Sequence, residues 1–286
     1  MSYRIITDTC CDFPEGMYEQ LNISVVPLVV NFRGQSLAKY DDAFTKELFA
    51  SLRSGDTATT SAANPDDWAK AIESCLCDGH DALVLTFSSG LSTTYQSAVI
   101  ASQDLQEKYP ARKIRVVDTR AASLGEGLLV WYTCQKRDEG LTLDELAAWV
   151  EEHKYNLCHW FTVDDLMCLK RGGRISAATA VLGSVLNIKP VLHMDDAGHL
   201  VNMSKVRGRK ASIAALADKM AETALPGQND TVFISHGDCI EDAQYLTQLL
   251  KERCGVKNVL IGYTGPVIGS HSGPGTLALF FLGKHR

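Results

Sequence analysis

Blocks of consecutive apolar residues alternate with amphipathic stretches along the first half of the chain. Residues 3–7 form a β-branched run ending on the polar turn Asp8-Thr9-Cys10-Cys11-Asp12. The run 23–32 has the length and β-branched content of a buried strand. Helical spacing follows at 43–53 and 65–78. The second of these opens with Asn64, Pro65, Asp66 and Asp67, an N-cap, a proline at the first helical position and acids in the first turn. The near-continuous apolar run 82–87 is what a parallel strand covered on both faces requires. It leads through Ser88-Ser89-Gly90-Leu91-Ser92 into a helix ending near residue 108. Residues 114–117 repeat the strand pattern, end at Asp118 and Thr119, and precede helices over 125–137 and 143–153.

Strand, polar turn and helix in repetition predict a parallel α/β sheet. Ligands of such sheets sit beyond the carboxyl ends of the strands, which here carry Asp8, Thr9, Ser88, Ser89, Ser92 and Asp118. Past residue 155 the pattern changes. Strands are expected at 156–161, at 190–194 and 199–203 about the turn Asp195-Asp196-Ala197-Gly198, and at 231–235 and 258–263. Helices intervene at 177–186, 209–222 and 240–253. The turn between the central runs predicts a hairpin, hence a mixed sheet. The expected fold is two-domain α/β, with a parallel-sheet domain over 1–155 and a mixed-sheet α/β domain over 156–286.

Composition narrows the class of protein. The 286 residues are 45% hydrophobic and 22% charged, enough to build cores and still line a cavity. A formal net charge of -6 argues against nucleic acid and against standing attachment to anionic membranes. The first residues lack the order of a signal peptide, and the apolar run 277–282 is too short to span a bilayer. A cytoplasmic location with only transient membrane contact is expected. Nine cysteines with no CxxC spacing read as reduced thiols, with neither a disulfide framework nor a metal site. Adjacent Cys10 and Cys11 are the place to look for thiol reactivity.

Common catalytic signatures are missing: there is no GxxxxGK[ST], GxSxG or HExxH. Gly125-Glu126-Gly127 lacks the third glycine of a dinucleotide fingerprint. What remains is a set of hydroxyl-rich and glycine-rich segments. Residues 88–98 bring Ser88, Ser89, Ser92, Thr93, Thr94 and Tyr95 to a strand-to-helix turn, where hydroxyls and free N–H groups suit an anion, or simply cap the helix. A second cluster over 57–64 includes Thr60 and Ser61. Small residues alternate with branched aliphatics over 175–188, a pattern that packs tightly or leaves a groove for a slender apolar ligand. Basic stretches at 170–174 and 205–210 are solvated surface or an anionic docking site. Residues 265–275 hold four glycines and two prolines, predicting a looping backbone with His271 between Ser270 and Ser272 at its apex.

In this order and spacing the segments resemble the DegV family, the fatty-acid-carrier subunit of bacterial fatty acid kinase. The likeness runs through residues 7–14, 26–28, 60–61, 88–98, 117–123, 169–176, 205–207 and 265–275, essentially the whole chain. It implies a lipid tunnel at the junction of the two domains. It further implies that Thr60, Ser61 and Ser92 hold the carboxylate with His271 close by, Ser89, Thr93 and Ser270 being adjacent. Arg174 and Arg207 match family arginines linked to docking with an ATP-dependent kinase subunit. On this reading the chain is no enzyme itself and takes no cofactor beyond its long-chain fatty acid. Two positions depart from the family pattern: Ala62 stands where glutamine is usual, and Thr93 where glycine is usual. Both bear on chain preference. Two alternatives stand beside the carrier: a Ser92/His271-dependent hydrolase of a small acyl or phosphorylated substrate, and a lipid sensor.

Overall fold

The computed structural model describes residues 2–175 and 187–286. The helix expected over 177–186, with the groove it would provide, lies outside the described residues. β1 (Tyr3–Asp8) ends in one turn of 3-10 helix, Thr9–Cys11, capped by the Asp8 carboxylate, which accepts from the Cys10 N–H at 2.9 Å. α1 (Met17–Gln20) follows. The apolar run expected as one buried strand over 23–32 is in fact two: β2 (Ser24–Val26) and β3 (Val29–Phe32). The break includes Pro27, which has no N–H to offer a ladder. β2 is an edge strand with two of its three residues exposed. β3 turns away to pair antiparallel with β4 (Gln35–Leu37), and later with β5.

α2 (Asp42–Arg53) is capped by Asp41. β5 (Thr59–Ser61) completes the small antiparallel sheet, β4-β3-β5. α3 (Pro65–Cys77) begins with a full capping box, Asn64 and Asp67 each bonding the other's backbone N–H. β6 (Asp81–Thr86) is buried at every position, α4 (Thr94–Lys108) crosses over, and β7 (Ile114–Asp118) follows. The main sheet of this half has order β2-β1-β6-β7 and is parallel throughout. α5 (Leu124–Asp138) and α6 (Leu143–His153) lead into the second half.

There β8 (Leu157–Thr162) precedes α7 (Leu166–Arg171). Lys170 and Arg171 therefore close a helix, and only Gly172 to Arg174 form the expected basic loop. β9 (Ile188–Met194) and β10 (Leu200–Arg207) make the hairpin. α8 (Arg209–Thr223), β11 (Thr231–His236), α9 (Ile240–Cys254) and β12 (Asn258–Tyr263) follow. The glycine-rich 265–275 segment is not the loop its composition predicts, because Pro266 initiates α10 (Pro266–Ser272), with His271 in its last turn. β13 (Leu277–Leu282), fully buried, lies between β8 and β11. The six-stranded sheet has order β10-β9-β8-β13-β11-β12, antiparallel except at β11–β12.

α5 joins the two halves. Its Leu124 and Leu128 share one core with Leu85 and Val117 of the parallel sheet and with Phe233 and Phe280 of the mixed sheet. Gly125 and Gly127 serve this packing and no nucleotide. A Cβ on Gly125 would lie 2.3 Å from His159 Nε2, and one on Gly127 would lie 2.7 Å from the Cys11 carbonyl oxygen. The hairpin turn seals the other side: Ser88 Oγ donates to the Gly198 carbonyl at 2.9 Å, and Arg120 to that of Ala197 at 2.9 Å.

Candidate functional site

The carboxyl ends of the parallel strands and the inner face of the mixed sheet enclose a cavity of about 500 Å³, a size usual for small-molecule sites. Its apolar wall comes from Leu28, Phe87 and Leu91 on one side and from Phe161, Met194, Ala278 and Phe280 on the other, with Val267 and Ile268 of α10 beside them. Its polar residues are mostly hydroxyls and histidines.

The first group joins elements far apart in sequence. Thr60 Oγ1 on β5 lies 2.7 Å from His271 Nε2 on α10. Ser92 Oγ, at the opening of α4, lies 2.8 Å from Thr94 Oγ1 and accepts from the Thr94 N–H at 3.2 Å. Thr93, the N-cap, makes no side-chain cap bond, so the first turn of a 15-residue helix presents N–H groups and its positive dipole end beside the cavity. Arg174 completes the wall, donating from Nε to the Leu91 carbonyl at 3.2 Å and from Nη1 to that of Gly172 at 2.5 Å. Burial, and then the Arg174 charge, push the His271 imidazole down to about 4, so it is neutral near pH 7. The group can donate several hydrogen bonds to an anion, with one half-buried cation, Arg174, beside it. Arg174, matched by the family resemblance to a docking arginine, thus also lines the cavity.

Of the other expected site residues, Ser89, Thr93 and Ala62 line the cavity. Ser89 is committed to Asp118, to which its N–H donates at 3.1 Å and its hydroxyl at 2.5 Å. The side chain of Ser61 lies elsewhere. Strand alternation that turns Thr60 inward turns Ser61 outward, and its hydroxyl accepts from Asn31 Nδ2 at 3.3 Å. Ser270 donates back to the Pro266 carbonyl at 2.6 Å, an internal helix bond, and does not border the cavity. Arg207 is exposed at the end of β10, away from the lining. No Ser92–His271 hydrogen bond is made; each residue has a different partner.

The sequence patterns do not mark a second polar set: Ser123, Ser235, Thr264 and Thr276, with His159 and Ser272, also line the cavity. They come from separate elements, and no local motif marks them. The strand-end acids act as braces. Asp8 accepts the Phe87 N–H at 2.8 Å, and Asp118 pairs with Arg120 at 2.7 Å. Cys10 and Cys11 are fully buried and burial pushes their thiols well up, the opposite of a reactive cysteine. Among the described residues no cluster suited to a metal occurs, and no helix is long and apolar enough to cross a membrane.

Comparison with known proteins places this arrangement. The family model described as "Uncharacterised protein, DegV family" matches residues 2–284. A DegV domain-containing protein of Clostridium perfringens is 46% identical over 286 residues, covering 99% of this chain and 98% of that protein. A fatty-acid-binding DegV family protein from Thermus thermophilus superposes with a TM-score of 0.87 at 32% identity, over 99% of this chain and 100% of that one. DegV of Bacillus subtilis, a fatty acid binding protein, gives 0.84 at 28% identity, over 99% and 100% of the two chains. With the same two-part α/β architecture and a match along nearly its whole length, the chain belongs to the DegV family.

Proposed function

We propose that the protein binds one long-chain fatty acid, tail in the apolar cavity, carboxylate against Thr60, Ser92 and His271 with Arg174 alongside. The observation that carries this reading is a largely apolar cavity of about 500 Å³ with the Thr60–His271 pair in its wall. Each buried methylene contributes about 0.8 kcal/mol, so a sixteen-carbon tail offers on the order of 12 kcal/mol before the costs of association. A carboxylate left unpaired in that setting would cancel much of the gain, hence the hydroxyl donors and the opening turn of α4. Ser61 and Ser270 enter only as supports, through the bonds that fix β5 and α10.

The carrier then presents the carboxylate to an ATP-dependent fatty acid kinase subunit, with Arg207 and Arg174 at the docking face, and performs no chemistry of its own. Separate partners for Ser92 and His271 favour this over the hydrolase. A cytoplasmic location, no nucleic acid, transient membrane contact and a domain division at 155/156 belong to the same reading.

Organic extraction of purified protein is expected to release about one fatty acid per chain, identified by mass spectrometry. Lipid-free protein that refuses added fatty acid sinks the reading. Removing a hydrogen bond to a charged group costs about 1.5–3 kcal/mol, so Thr60→Val and His271→Ala should each weaken binding roughly tenfold or more. Gly172→Ala tests the same site from behind. Its Cβ would lie 2.4 Å from His271 Nδ1, displacing the ring from Thr60, and a comparable loss of affinity is expected with little change in thermal stability. Unchanged affinity would remove His271 from the head-group site. Arg207→Glu should lower acyl-phosphate formation with kinase and ATP while leaving fatty-acid affinity unchanged.

A further inference from the structure

The acyl cavity contains two hydroxyls that its own protein does not satisfy. Thr264 is 1% exposed and Ser272 5% exposed. Both line the cavity, and among the described residues neither Thr264 Oγ1 nor Ser272 Oγ has a hydrogen-bond partner. Buried hydroxyls are nearly always paired, because an unmade bond costs the full desolvation of the group. The other hydroxyls of this wall obey the rule. Thr276 donates to the Gly273 carbonyl at 2.8 Å, while Ser123 lies 2.5 Å from Asp12 Oδ2 and 3.0 Å from Ser235 Oγ.

Position separates Thr264 from the head-group site. It precedes α10, its N–H bonded to the His236 carbonyl at 2.9 Å at the end of β11, whereas His271 lies in the last turn of α10. At roughly 1.5 Å of rise per residue the two are on the order of 10 Å apart along the helix. A carboxylate bound at Thr60 and His271 does not reach Thr264; the middle of an extended acyl chain does. Ser272 adjoins His271 and is the less distinctive of the two.

We propose that Thr264, with Ser235 and Ser123 near it, forms a second polar subsite that hydrogen-bonds an oxygen on the acyl chain, so that the preferred ligand is a mid-chain hydroxylated long-chain acid. This rests on the carrier reading above and adds a ligand class to it. The selectivity follows from an asymmetry. A hydrocarbon passing Thr264 leaves a buried donor unpaired, while a hydroxylated chain satisfies it and is satisfied in turn. In a purely apolar slot the hydroxyl would instead weaken binding.

The test compares stearic acid with hydroxystearic acids bearing the hydroxyl at successive mid-chain carbons, titrated into protein stripped of lipid. At least one isomer should bind about tenfold more tightly than stearic acid. Thr264→Val, equal in shape, should abolish or reverse that preference, because it removes the donor that the chain hydroxyl would satisfy. Stearic acid binding as well as or better than every isomer overturns the subsite and leaves the carrier intact, with an ordered water then satisfying Thr264. A preference that survives Thr264→Val also overturns it. If no acid binds, the carrier reading falls and the subsite with it. The wild-type comparison needs no variant, so a poorly folded mutant cannot shield the proposal.

Discussion

Ala278→Phe is expected to abolish fatty-acid binding while the protein stays folded. Ala278 lies in the middle of the mixed sheet, opposite Phe161 of β8 and Ser235 of β11, and it lines the cavity. Its methyl is the smallest side chain on that stretch of wall. In a packed core an added ring would cost about 1–3 kcal/mol in strain, but here it enters open volume and buries apolar surface, which offsets that cost. The ligand loses what the ring gains. Displacing about five methylenes at about 0.8 kcal/mol each forfeits about 4 kcal/mol, or roughly a thousandfold in affinity. Two measurements check it. Extraction should recover a fatty acid from the wild type and none from the variant. Added fatty acid at a thousandfold excess over Kd should stabilise the wild type by about 4 kcal/mol, with the corresponding rise in Tm, and leave the variant unmoved. A variant that folds and still binds at wild-type strength would show that the acyl chain lies somewhere else.

The extent to which this cavity was legible in the sequence depends on how local each signal is. Strand β6 and helix α3 could be read directly. One is an unbroken apolar run bounded by polar turns, and the other is announced by Asn64 and Pro65 and closed into a capping box by Asp67. The small antiparallel sheet could not. β4 and β5 are three residues each and mostly polar, and their pairing with β3 is a long-range fact with no period to detect. α10 hid behind its glycines, since a proline at the first position outweighs a composition that reads as loop.

At the site, residue patterns alone gave hydroxyl clusters that capping explains equally well. The roles of Thr60, Ser92 and His271 came with the family likeness. Folding brings Thr60 and His271, 211 residues apart, to 2.7 Å, a contact no spacing rule anticipates. Strand alternation then separates Thr60 from Ser61, a division the pair as a motif does not express. Thr264, Ser235 and Ser123 stand on three segments, and only folding brings all three to the wall of one cavity.

The other large effect concerns pH, and it begins one bond away from that same wall. Asp12 is 8% exposed and accepts from Ser123 at 2.5 Å. Burial raises its carboxyl from 3.8 to about 7, against the lowering influence of the Ser123 hydroxyl and the Gly265 N–H. Asp8 is raised by burial to about 6, and Glu126, fully buried beside Thr7 and Cys11, is pushed well up. Between the unfolded and folded values the native state keeps protons that the unfolded chain has released. Stability therefore falls as pH rises through that window and is flat beyond it. For Asp12 the window runs from about pH 4 to about pH 7. At about 1.4 kcal/mol per pH unit its share is on the order of 4 kcal/mol. Asp12→Asn keeps an acceptor for Ser123, suits the left-handed backbone at φ 51°, and cannot ionise. In denaturant titrations of lipid-stripped protein, the variant should match the wild type near pH 4 and exceed it by several kcal/mol near pH 8. Since Ser123 borders the cavity, the wild type should also bind lipid less tightly where Asp12 ionises and pulls harder on that hydroxyl, with the variant indifferent. Parallel stability curves for the two proteins would mean that Asp12 is solvated, and would cut the link between proton uptake and the cavity wall.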